Sequence, residues 1–109
     1  MSKIIESRDE MLEEFVTWIH GINRKNTFAF VKTTEEFNGQ KDGIWLCGEC
    51  EDILDANGLP AFEYYAYDMP EFFYKDYVFG VHPDFHDWAE ERGWFFEWND
   101  PGTIMLWRA

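Results

Sequence analysis

From Glu49 to Asp100 the chain interleaves fourteen carboxylates with aromatic rings and offers only Lys75 and Arg92 in return, a net charge of −12 over that stretch. Large rings escape water only by being buried, and unpaired carboxylates cannot follow them inside. Such a chain is expected to carry its acidity on a folded body that hides many of its rings. Aromatic residues make up 20% of the sequence, which excludes a disordered acidic tail, because tails of that kind lack the apolar area that offsets chain entropy. The remainder is nearly balanced: residues 1 to 48 carry eight acids and six bases, and Arg108 brings the total to −13.

The 109 residues hold no Gly-, Ser- and Pro-rich divider, so one domain is expected. For a 13.1 kDa chain, area scaling gives roughly 6,400 Å² folded against roughly 19,000 Å² unfolded, enough burial for a core without disulfides. Two cysteines three positions apart, Cys47 and Cys50, provide no disulfide framework. The longest apolar runs, such as Ile44 to Cys47, fall far short of the roughly 20 residues of a membrane span, and MSKIIESRDE lacks the apolar core of a signal peptide. A cytoplasmic protein is expected.

Ser7 and Glu10 form a capping box, and Met11, Leu12, Phe15, Val16, Ile19 and Ile22 recur at helical spacing, which predicts a helix over residues 8 to 22. Thr27 to Thr33 and Ile44 to Cys47 read as paired strands joined through the turn pairs Asn38-Gly39 and Asp42-Gly43. The middle is ambiguous. Glu49 to Asp55 fits a short helix capped near Gly58, in preference to a strand turning at Asn57-Gly58, and a long loop with some strand follows to Asp76. Tyr77 to Val81 reads as a strand. Pro83, Asp84, Arg92 and Gly93 then bracket a helix whose inward face is Phe85, Trp88 and Ala89. Trp94 to Trp98 and Thr103 to Trp107 flank Asn99-Asp100-Pro101-Gly102 as a hairpin. No internal repeat is evident. The order predicts an α+β fold: a mostly antiparallel sheet of about four to six strands with two or three helices on one face.

A charge run is ordinarily a solvated face that keeps a protein soluble. Clustered carboxylates also repel one another, and a basic partner relieves that cost. Duplex DNA carries one charge per roughly 1.7 Å of axis, so fourteen carboxylates on one face match roughly 24 Å of it. In size and composition the chain is similar to the small acidic inhibitors with which phages and mobile elements occupy the DNA channels of restriction and CRISPR nucleases. The likeness is one of character and carries no shared motif. It implies a non-enzymatic, anti-defence protein that binds a basic protein surface and does not bind nucleic acid directly or enter a membrane. The candidate acidic face comprises Glu49, Glu51, Asp52, Asp55, Glu63, Asp68, Glu71, Asp76, Asp87, Glu90 and Glu91. Tyr65, Tyr67, Phe73 and Tyr74, interleaved with these acids, are candidate aromatic anchors.

Catalytic and cofactor chemistry find little footing. Cys47 and Cys50 (CGEC) with His82 and His86 (HPDFH) have the local spacings of a two-Cys, two-His zinc site, but residues 51 to 81 separate the pairs where a small zinc finger has about a dozen residues. A structural-zinc domain is the alternative reading; otherwise no cofactor is expected. The CGEC dithiol lies among Glu49, Glu51 and Asp52, which disfavour a reactive thiolate. The adjacent carboxylates Glu13-Glu14, Glu35-Glu36 and Glu90-Glu91 lack a nucleophile or base to work with, and neither a Gly-rich phosphate loop nor a basic stripe is present. No catalytic residue is assigned.

Overall fold

The computed structural model describes residues 4–26, 31–47, 53–66 and 76–109. Helix α1 runs over Arg8–Ile22, with the bounds the periodicity predicts. Ser7 caps it by accepting from the Glu10 amide at 3.3 Å, and Met11, Phe15 and Ile19, four residues apart, form the fully buried stripe. Helix α3, Pro83–Glu91, likewise buries Phe85, Trp88 and Ala89, and Pro83 occupies its first turn, where no amide proton is missed.

Four strands form one antiparallel sheet: β1 Val31–Thr33, β2 Ile44–Cys47, β3 Trp94–Asp100 and β4 Thr103–Arg108, in the order β1-β2-β4-β3. The fold is α+β. Register places Val31, Ile44, Leu46, Ile104, Leu106, Trp94 and Phe96 on one face, where α1 and α3 cover them; Phe15 meets Phe96 at 6.4 Å between ring centres. Trp45, Met105, Trp107 and Phe95 point to the opposite face. No helix among the described residues is long and apolar enough to cross a membrane.

Between β1 and β2 the expected turn contains a short helix, α2, over Thr34–Asn38. Thr33 and Glu36 cap it reciprocally, a Thr-x-x-Glu box that the sequence does spell out. Phe37 of α2 stacks on Trp45 of the opposite sheet face at 5.3 Å. Gly43 is required beside it, because an added Cβ would lie 2.3 Å from the Trp107 ring. Of the expected first strand, residues 31–33 are observed as strand and 27–30 lie outside the described residues.

Two expectations for the middle are corrected. The described end of the expected 49–55 helix is extended, and Leu54 bridges Pro60 antiparallel around a turn at Asn57-Gly58. The cause is Asp55, whose Oδ1 accepts from the amides of Asn57 at 2.8 Å and Leu59 at 2.9 Å, offering the backbone a turn in place of a helix. Residues 49–52 lie outside the described residues. The expected Tyr77–Val81 strand is a tight turn. Val78 and Val81 exchange both backbone hydrogen bonds, and Phe79 (φ 49°) and Gly80 (φ 79°) between them take the positive φ of a type I′ turn. What strand character remains is confined to Val78 and Val81, which bridge each other, and Val81 also bridges Phe62.

Candidate interaction surface

Helices α1 and α3 are locked by aromatic contacts. Trp18 stacks on Trp88 at 4.5 Å with 9° between planes, Phe85 meets the Trp18 ring edge-on at 4.8 Å, and Phe15 meets Trp88 at 5.6 Å. Arg92 completes the stack, its guanidinium 4.1 Å from the Trp88 ring centre, with one nitrogen donating to the Trp88 carbonyl at 2.9 Å and another 3.7 Å from Glu14. Successive contacts ascend α1 (Glu14, Phe15, Trp18) while descending α3 (Arg92, Trp88, Phe85), so the helices run antiparallel and their outer faces lie side by side.

Those outer faces are acidic. Glu10 and Glu13 are exposed on α1 and Glu14 is half-buried; Asp84, Asp87, Glu90 and Glu91 are exposed on α3. Between the helices lies a cleft of about 570 Å³ lined by the three α1 glutamates, Thr17, the two tryptophans and Arg92. The two helices thus carry seven carboxylates, of which Glu14 and Glu91 lie 3.7 and 3.6 Å from Arg92. Asp84 to Glu91 extends for about 10 Å at the helical rise of 1.5 Å per residue. Glu90 and Glu91 sit in the last turn of α3, the negative end of the helix dipole, and no basic residue shares that turn.

The predicted acidic residues therefore divide. Asp87, Glu90 and Glu91 come together on α3. Glu63 and Asp76 belong instead to the turn region beside Tyr65, which is 51% exposed, and Glu97 points to the opposite face of the sheet. Glu49, Glu51, Asp52, Asp68, Glu71, Tyr67, Phe73 and Tyr74 lie outside the described residues. Asp55 is not on the surface at all. The α1 glutamates, by sequence the polar side of a scaffold helix, belong to the same face as α3; their periodicity was visible, their neighbour was not.

Asp55 and His82 form a buried pair, Oδ2 to Nε2 at 2.9 Å. His82 caps α3 by accepting the Asp84 amide at Nδ1, 3.1 Å away, so the ring proton sits on Nε2 and is donated to Asp55. Burial pushes the Asp55 carboxyl up, but the Leu59 amide, the His82 ring and the Asn57 amide outweigh it and hold the group below its ordinary value. An Asp–His pair is the raw material of a general base, and here both ring nitrogens are engaged within the fold. Of the residues of the alternative zinc reading, His82 thus has both ring nitrogens hydrogen-bonded. His86 turns to Asp87 and Glu90, at 3.3 and 3.5 Å, while Cys50 and the Cys47 side chain lie outside the described residues. A further buried polar residue, Asn26, escaped sequence reasoning: its amide donates to the carbonyls of Ile19 and Leu54 and accepts from the Leu54 amide, tying α1 to the 53–55 segment.

Away from this face, Arg8 pairs with Glu35 and, with the Asp42 amide, lowers that carboxyl from an ordinary 4.5 to about 2. Glu35 is thereby committed to joining α1 to α2. No protein-family model matches the chain, and no curated protein or solved structure matches it.

Proposed function

We propose that this chain is a non-enzymatic interaction protein whose α1–α3 face docks on a basic protein surface, acting as a DNA-mimicking inhibitor of a nucleic-acid enzyme. The observation that carries this reading is the seven-carboxylate face spread over two locked helices. Seven charges match about 12 Å of duplex at one charge per roughly 1.7 Å, half the length estimated for the acidic segment as a whole. The Trp18–Trp88 stack holds the face rigid, so little ordering entropy is lost on docking. Two of the acids oppose the helix dipole, a placement that costs stability and is relieved by a cationic partner. Restriction and CRISPR nucleases present such surfaces to DNA, which makes an anti-defence role inside a bacterial cell the setting this reading implies.

The test is displacement of labelled duplex from a panel of purified restriction and CRISPR nucleases at rising ionic strength. Wild-type protein should displace DNA from its target, and added salt should weaken it. The double variant E90K/E91K, checked for unchanged helix content, should lose about tenfold or more in potency. Equal potency of the variant and the wild type would sink the acidic-face reading.

A further inference from the structure

Phe79 is the least economical residue in the described structure. Its side chain is 90% exposed, so the ring contributes nothing to the core, and its backbone holds a φ of 49°, a region that a bulky side chain rarely occupies. Asn or Gly is the ordinary occupant of that position in a type I′ turn. The turn is nevertheless clamped from several sides. Val78 and Val81 exchange hydrogen bonds at 2.8 and 3.0 Å, the Trp98 indole donates to the Phe79 carbonyl at 2.7 Å, and the Glu63 amide donates to the Gly80 carbonyl at 2.7 Å. Gly80 lies so close beneath the Glu63 backbone that an added Cβ would be 2.6 Å from its carbonyl oxygen. The backbone is held firmly while the ring it carries stands in solvent.

Its surroundings extend the pattern. Trp98, bonded to the Phe79 carbonyl, meets Tyr64 edge-on at 5.1 Å, and Tyr64 meets Tyr65 edge-on at the same distance; the two tyrosines are 42% and 51% exposed. Exposed rings gathered on a rigid support are the features of a binding hot spot, and strain retained at a surface position marks function more often than folding.

We infer that Phe79 is the apolar anchor of a protein–protein contact, seating in an apolar pocket with a basic rim on the partner. The rim is argued from charge: Glu63 and Asp76 belong to this region, and residues 53–66 and 76–91 contain neither Lys nor Arg. The same charge opposes a second copy of this chain and opposes nucleic acid. The rim's sign rests on the proposed basic partner, whereas the anchoring role of the ring does not.

The experiment places the photoreactive p-benzoylphenylalanine at position 79 of the full chain, and separately at position 37, an exposed ring in helix α2, as the control. The protein captured at 79 is then purified and its affinity measured for wild type, F79N and E90K/E91K. Asn is at home in the turn, so F79N should melt at or above the wild-type temperature while binding at least about thirtyfold more weakly. If F79N binds within threefold of wild type, or position 79 captures nothing beyond the control, the anchor is refuted. Capture of a second copy of this chain would overturn the assigned partner. If F79N loses binding and E90K/E91K does not, the anchor stands and the acidic-face reading fails; the converse removes the anchor alone.

Discussion

The α1–α3 layer and the turn region formed by residues 53–66 and 76–82 close over the same core by opposite means. The helices rely on repetition: Met11, Phe15 and Ile19 on one, Phe85, Trp88 and Ala89 on the other, each contributing a share of buried area. The turn region has isolated bridges in place of a continuous ladder, and Asn26, Asp55 and His82 supply buried side-chain hydrogen bonds that organise it. Both regions bury apolar groups, Ile53, Phe62 and Val81 in the turn region among them, but only the turn region adds a set of buried polar side chains that fix its backbone. That region is the one that holds Phe79 in place.

The largest effect expected from this contrast is at Asp55. Replacing it with Ala leaves the His82 ring N–H and the amides of Asn57 and Leu59 without their acceptor and should cost about 2–4 kcal/mol in urea unfolding, at roughly 1–3 kcal/mol for a buried donor left unsatisfied. A cost below about 1 kcal/mol would show that the turn is held by something else. Acid should act next. The carboxyls of Asp55 and Glu35 are both depressed in the folded chain, so as pH falls the unfolded chain takes up these protons first. Their contribution is complete above about 4.5 and, for Glu35, is lost progressively down to about 2. Urea midpoints measured across that range should fall, and D55N and E35Q should each flatten the curve; a midpoint independent of pH would remove both pairs from the stability argument. The smallest effect is expected on the helical side. Neutralising the last turn of α3 with E90Q/E91Q should raise stability by about 0.5 kcal/mol, since both charges oppose the dipole and the largely exposed Glu90–His86 and Glu91–Arg92 contacts are worth little. A fall in melting temperature would mean that these acids serve the fold, which weakens the case that they serve a partner.

What could be read from the sequence follows the same division. Helices α1 and α3 and the β3–β4 hairpin were legible because burial imposes a period on the chain, and a period can be seen without knowing what it packs against. Helix α2 was legible in principle through its Thr33 and Glu36 caps but is only five residues long. The turn region is harder to read because local and distant bonds share the work: the Asp55 turn is local and signalled by Asn57-Gly58, but Asp55 is tied to His82 across 27 positions and Asn26 to Leu54 across 28. No local pattern announces such partners. At Phe79 an aromatic beside a valine favours a strand, and only the bonds from Trp98 and Glu63 and the Val78–Val81 pair reveal the turn.

By itself the sequence is enough to send many of the rings of this chain into a core and most of its carboxylates to the surface, because buried rings offset chain entropy and unpaired charges do not leave water. It also placed most of the negative charge after residue 48. Which carboxylates lie near one another depends on packing. Packing Trp18 on Trp88 brings the glutamates of the nearly balanced first helix beside those of the acidic third, whereas Asp55, of the same charge and segment, is drawn inside by His82. Charge is a property of composition, but a charged face is a property of packing.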